Sequence, residues 1–206
     1  MVEPALAMFP LSTVLFPYDR VQLHVFEPRY RRLVADCLAG DGRFGVVLIA
    51  RGSEVGGGDE RVDVGTVASI EAAEAVGEGR WHLVAAGQDL LRVTRWLDDD
   101  PYPRAVVEDA RRARTENGVA LHRAEAELRR VLALVSELGD SSAVPPAASF
   151  GDSPEEVAWR LCALAPVNVF DRQRLLEAPG PLERLALLLD LLRDVGDDVG
   201  RILAGG

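Results

Sequence analysis

The first half of the chain consists of short apolar runs and alternating apolar and polar positions, a pattern typical of β-strands. Val21, Leu23 and Val25 alternate with more polar neighbours, whereas residues 44–50 are almost all apolar and predict a buried strand. One helix is expected after the second strand, because Pro28 suits a first helical position and Gly40 a helix end. Its apolar face is predicted to consist of Tyr30, Leu33, Val34, Cys37 and Leu38. Beyond the opening apolar run, strands are predicted at residues 21–25, 44–50, 64–76, 81–97 (with Gly87 as a bend or bulge) and 104–108.

After residue 111 the spacing of the apolar residues changes to the spacing that is typical of helices. Residues 117–138 have helical apolar spacing, and Ser153-Pro154 with Glu156 has the sequence of a capping box. Asn168 is expected to begin a further helix of about ten residues, which Pro179-Gly180-Pro181 separates from the last helix. The last helix is expected to carry an apolar stripe of Leu182, Leu185, Leu188, Leu189 and Leu192. The sequence therefore predicts an α+β fold, with a β-rich subdomain at residues 1–112 that resembles a closed or partly closed antiparallel barrel, and a helical subdomain at residues 113–206.

Charge narrows the possible partners. The 206 residues carry a formal net charge of −10, which argues against nucleic acid, since nucleic-acid binding needs a basic face. The arginine-rich residues 111–114 are interpreted as a solvated connector. The start of the chain has no basic segment, and no apolar run reaches the ~20 residues of a membrane span, so a cytoplasmic protein without membrane contact is expected.

The side chains that carry chemistry are few and dispersed. No lysine occurs in these 206 residues, which excludes a P-loop and a Ser-Lys dyad within them and favours a flexible hairpin loop at the glycines 56–58. Cys37 and Cys162 are expected to be free thiols on apolar helix faces. His24, His82 and His122 fall in three separate elements, and residues 98–100 (DDD) suit a solvated turn. No metal, cofactor or catalytic residue is therefore expected.

Five motifs occur in order along the chain: residues 9–11 (FPL), 14–17 (VLFP), 26–30 (FEPRY), 44–49 (FGVVLI) and 64–68 (VGTVA). Taken in this order, they resemble the N-terminal substrate-binding domain of Lon proteases. The resemblance extends from about residue 6 to about residue 195, and the first three motifs carry most of it. It implies a PUA-like pseudo-barrel and a non-catalytic polypeptide-recognition module of bacterial proteolysis, here as a free-standing copy without ATPase or peptidase domains.

Two sets of residues are candidates for function. Within the third motif, Glu27, Pro28, Arg29 and Tyr30 are either a contact site or a helix cap with an ion pair, and the structural role is favoured. The second set consists of apolar residues in two loops, which either bind peptide or cap the ends of the barrel. These tentative peptide-binding residues are Phe16, Pro17, Tyr18, Pro101 and Tyr102.

Three hypotheses for function follow. The first is recognition of unfolded or specific polypeptides, in which a groove beside an open strand edge takes an extended peptide and the ligand is passed to a protease. The second is an uncharacterised hydrolase that uses a cysteine, histidine or carboxylate. The third, which the net charge disfavours, is an RNA-binding module. The sequence leaves the oligomeric state open.

Overall fold

A computed structural model describes residues 5–52, 58, 60–77, 79–110, 118–139 and 149–205. Contacts divide the chain into two compact units, residues 1–111 and 112–206. The first unit contains β1 (Ala5–Leu11), β2 (Arg20–Val25), α1 (Pro28–Ala39), β3 (Arg43–Arg51), β4 (Glu60–Ala75), β5 (Trp81–Trp96) and β6 (Arg104–Asp109). The second contains α2 (Gly118–Glu137), α3 (Pro154–Leu164), α4 (Val169–Glu177) and α5 (Pro181–Gly205).

The six strands form one sheet in the order β2-β5-β4-β3-β1-β6, and β6 also pairs with β5. Five strands therefore close a barrel, and β2 extends it from β5 as an additional strand. Four of these pairs in the barrel are antiparallel, as predicted, but β1 and β3 are parallel. Parallel neighbours require a crossover connection, which β2 and α1 provide here.

A tight turn connects β1 to β2 and explains the glycine in β5. The Asp19 N–H donates to the Phe16 carbonyl (3.2 Å), and Tyr18 has a φ of 63°, as expected for the third residue of a type II turn after Pro17. Tyr18 N–H donates to Gly87 O (2.9 Å), and Gly87 N–H donates to Asp19 O (2.8 Å). Tyr18 and Asp19 thus both lie opposite Gly87. Two residues of one strand opposite one residue of its partner form a β-bulge.

Helix α1 packs on the hydrophobic core of the first unit. Its buried face contains Tyr30, Leu33, Val34 and Cys37, as the helical spacing predicted. The Tyr30 ring stacks on Phe9 of β1, with ring centroids 4.1 Å apart. Leu38, predicted on the same face, is 43% exposed because it lies one residue before the helix end, so that part of the prediction is wrong.

Two helices of the second unit, α3 and α4, begin at the positions that the sequence predicted. Ser153 accepts a hydrogen bond from Glu156 N–H (3.1 Å), and Asn168 accepts from Phe170 and Asp171 N–H (3.0 Å each). Glu156 reaches back to the N–H of Asp152 (3.1 Å) rather than to that of Ser153. The apolar stripe of α5 is buried from residue 185 onward, whereas Leu182 is 51% exposed, contrary to prediction. Among the described helices, none is both long enough and apolar enough to cross a membrane.

Candidate functional site

The two apolar loops are mostly directed inward. Phe16 is fully buried, Pro17 is buried, and Tyr102 is buried with its hydroxyl donating to Asp36 (2.9 Å). These three side chains therefore belong to the packed interior rather than to an exposed surface. Of the five tentative peptide-binding residues, Tyr18 (42% exposed) and Pro101 are the exposed ones. A binding role for the two loops stays a prediction that rests on this pair.

The third motif makes internal contacts at the start of α1. Glu27 occupies the cap position without a capping side-chain hydrogen bond, and Pro28 takes the first helical position. Arg29 pairs with Glu27 (3.2 Å) and lies over the Tyr30 ring, 4.5 Å from its centroid. These contacts join the start of the helix to the ring that packs on β1. They support the structural role that the sequence favoured for the motif.

The two cysteines are poor nucleophiles in this fold. Burial raises the pKa of the Cys37 thiol to about 11 and that of the Cys162 thiol to about 12. Neither forms a disulfide, and Cys37 donates to the Arg43 carbonyl (3.3 Å). Because the thiolate is the reactive form, neither residue offers the activated, exposed group that the cysteine version of the hydrolase hypothesis requires.

We expect the folded protein to resist thiol labelling. At pH 8, on the order of one thiol in a thousand or fewer is ionised when the pKa is near 11, and burial blocks the reagent as well. An aromatic disulfide reagent should therefore react slowly with native protein and rapidly with two thiols per chain in guanidinium. Leu38→Cys, which places a thiol at an exposed position of the same helix, should label quickly. Rapid reaction of a native thiol would contradict the assignment.

The structure brings together two histidines that the sequence placed in separate elements. His24 of β2 and His82 of β5 are directly opposed in the sheet register. Their ring centroids are 3.8 Å apart, and their Nε2 atoms contact each other. Both side chains are exposed on the outer face of the sheet, and Glu74 of β4 lies opposite His82 in the same row. His122 is elsewhere, on α2, with Nδ1 2.6 Å from the Gly118 carbonyl oxygen.

Two open depressions adjoin this histidine pair. One, of about 450 Å³, is lined by Gln22, Glu74 and Val84 together with the pair. The other, of about 420 Å³, is lined by Phe26 and Arg80 together with the pair. Phe26 is 55% exposed, so this face presents an aromatic ring beside polar groups. The outer face of β2, β5 and β4 is therefore concave and chemically mixed.

Beside this face lies the open edge of β2, the side of Arg20–Val25 that faces away from β5. β2 stands at the end of the strand order, and within the described part of the chain β5 alone pairs with it. In an antiparallel pair of strands, the backbone N–H and C=O groups of successive residues alternately hydrogen-bond to the partner strand and point away from it. Because Asp19 hydrogen-bonds to Gly87, the residues of β2 whose backbone N–H and C=O groups point away from β5 are Arg20, Gln22 and His24. Accordingly, the Arg20 N–H donates to the Asp19 carboxylate (2.8 Å) and not to β5.

The acidic turn before the last strand is held by an ion pair. Asp99 accepts from Arg61 (2.9 Å), and the Arg61 guanidinium lies over the Trp96 ring, 4.9 Å from its centroid. Across the part of the chain that the structure describes, no group of three or more His, Cys, Asp and Glu side chains could hold a metal ion. The glycines 56 and 57 of the predicted hairpin loop lie outside the described residues.

This α+β protein contains a pseudo-barrel, which closes through one parallel pair of strands, and a helical unit that follows it in the chain. This combination defines the class of protein. Residues 5–194 match the ATP-dependent protease La (LON) substrate-binding domain, and the chain belongs to this family. The resemblance drawn from the motifs is thereby confirmed.

Curated relatives and solved structures agree with this assignment. The chain is 27% identical over 197 residues to Lon protease 2 of Myxococcus xanthus, covering 93% of this chain and 24% of that protein. The corresponding values for Lon protease of Anaeromyxobacter dehalogenans are 26%, 93% and 23%. The chain thus spans about a quarter of the length of these relatives.

Among solved structures, the Lon N-terminal domain protein from Xanthomonas campestris matches with a TM-score of 0.64 and 29% identity, over 91% of this chain and 98% of that one. The N-terminal domain of the Mycobacterium avium complex Lon protease also matches with a TM-score of 0.64, over 93% of this chain and 99% of that one. Its 16% identity shows likeness of fold alone.

Proposed function

We propose that this chain recognises extended segments of unfolded polypeptides, without acting on them chemically, along the open edge of β2. The observation that carries the proposal is that edge: a strand of six residues with backbone groups that point away from the barrel. An extended peptide can bind such an edge through main-chain hydrogen bonds, which are independent of peptide sequence. Membership of a substrate-binding family supports this kind of ligand.

The side chains around the edge suit the same ligand. Tyr18 precedes β2 and Phe26 follows it, and both rings are partly exposed. At ~3.3 Å per residue, the strand between them has room for about six extended residues of a ligand. Two aromatic contacts at the ends would add affinity for apolar side chains, which unfolded chains expose. The named relatives are bacterial proteases, which supports the further proposal that the protein acts in bacterial proteolysis with a protease as its partner.

Fluorescence anisotropy with a labelled, permanently unfolded polypeptide tests the proposal. Gln22→Pro should weaken binding about two- to thirteenfold, because it removes one outward N–H that a peptide needs, worth roughly 0.5–1.5 kcal/mol. Gln22→Ala is the matched control, since it removes the same side chain and keeps the N–H. Phe26→Ala should weaken binding as well. Far-UV circular dichroism confirms that each variant is folded.

The controls define the outcomes that would contradict the proposal. A folded protein and an RNA should show no binding. Equal affinity of the Gln22→Pro and Gln22→Ala variants would rule out main-chain pairing at this edge. Binding of the RNA, with affinity that falls as salt rises, would favour the third hypothesis instead.

A further inference from the structure

The histidine pair on the outer face has a geometry suited to a metal ion. His24 and His82 are a non-hydrogen-bonded pair of the antiparallel ladder, because the bonded positions of β2 are Val21, Leu23 and Val25. In such pairs the Cα atoms are only ~4.5 Å apart and the side chains converge. The two Nε2 atoms contact each other, so both imidazoles direct the same nitrogen toward the space between the rings. An ion at ~2.0–2.1 Å from each nitrogen requires the rings to turn slightly apart, because nitrogens in contact leave no room for it.

We propose that His24 and His82 bind one Zn²⁺ ion through their Nε2 atoms. Neutral imidazole is a good ligand for zinc, and a tetrahedral ion would take two water molecules as its remaining ligands. The two depressions that share the pair leave space for that water on both sides. Two protein ligands rather than three or four make this an exchangeable site and not a structural one.

The neighbouring charges are compatible with a cation. Glu74 lies directly opposite His82 on β4, on the side away from His24. From that register position a carboxylate can accept the Nδ1 hydrogen of His82, which fixes the tautomer that leaves Nε2 free to bind metal. Arg80 lines one depression at its far end, beside Phe26 and Val76. The simpler alternative is a hydrogen bond in which one imidazole donates Nε2–H to the other.

Isothermal titration calorimetry of the whole chain with Zn²⁺ distinguishes zinc binding from a hydrogen bond between the two imidazoles. The wild-type protein should bind one ion per chain, and His24→Ala and His82→Ala should each lower the affinity at least about tenfold, as loss of a ligand does. His122→Ala is the matched control and should bind like wild type, since it removes the remaining histidine of the chain. The exposed position of both side chains lets the variants keep the fold.

Two results would overturn the proposal. One is the absence of saturable Zn²⁺ binding by the wild-type protein, which would leave the hydrogen bond as the whole role of the pair. The other is equal binding by wild type and both pair variants, which would place the ion elsewhere. The titration contains no polypeptide, so its outcome is independent of the function proposed above.

Discussion

Phe16→Ala is expected to lower the free energy of unfolding by about 3–5 kcal/mol, the largest effect of any substitution considered for this protein. The Phe16 side chain is fully buried where the turn after β1 meets the barrel. Its removal leaves a cavity that the surrounding strands can fill only in part, because the adjoining turn is fixed by its bonds to Gly87. Equilibrium denaturation in urea, followed by far-UV circular dichroism, measures the loss.

Tyr18→Ala is the matched control two residues away. The Tyr18 ring is 42% exposed, so its removal should cost about 1 kcal/mol or less. The two variants also separate stability from binding: we expect Tyr18→Ala to weaken polypeptide binding while the fold is kept. Losses of equal size in the two variants would contradict the assignment of Phe16 to the interior.

Gly87→Ala is expected to be the second most damaging change. A Cβ at this position would lie 2.1 Å from the Phe16 carbonyl oxygen and 3.0 Å from its carbonyl carbon. Because these are backbone atoms of a tight turn, they cannot rotate away as a flexible side chain could. We expect a loss at the upper end of the roughly 1–3 kcal/mol that overpacking costs, measured by the same denaturation.

Gly200→Ala provides the control for glycine replacement. Gly200 lies within α5, and no heavy atom lies within 4 Å of its hypothetical Cβ. Alanine should therefore stabilise the helix by about 0.5–1 kcal/mol. If both glycine variants shifted stability in the same direction, the close approach of Gly87 to the turn would not be the cause.

Local signals in the sequence predicted most of the elements. Pro28, Ser153 and Asn168 each act within one helical turn, so their neighbours in sequence suffice to locate a helix start. The errors at Leu38 and Leu182 arise at helix ends, where a position keeps the apolar period but extends past the surface it would pack on. The apolar period of a sequence shows which face of a helix is buried. It does not show how far the surface that the helix packs on extends along it.

The features that were missed depend on contacts between distant residues. The parallel pairing of β1 with β3 and the pairing of His24 with His82 both require the strand order, which a single sequence does not contain. The two apolar loops illustrate a second limit. An aromatic residue in a turn has the same sequence signature whether its ring is buried or faces solvent, and here Phe16 and Tyr102 are buried.

The position of β1 between β3 and β6 bears on how the chain is made. Of the six strands in this sheet, β1 is synthesised before the others, but one of its two partners, Arg104–Asp109, lies about a hundred residues later. During translation the barrel therefore stays open until β6 has left the ribosome, and the apolar strand β1 has an unpaired edge in the meantime. Such late, long-range closure slows folding and exposes the nascent chain to aggregation. A module that is proposed to recognise unfolded chains is thus itself an exposed, unfolded chain while its first unit is being synthesised.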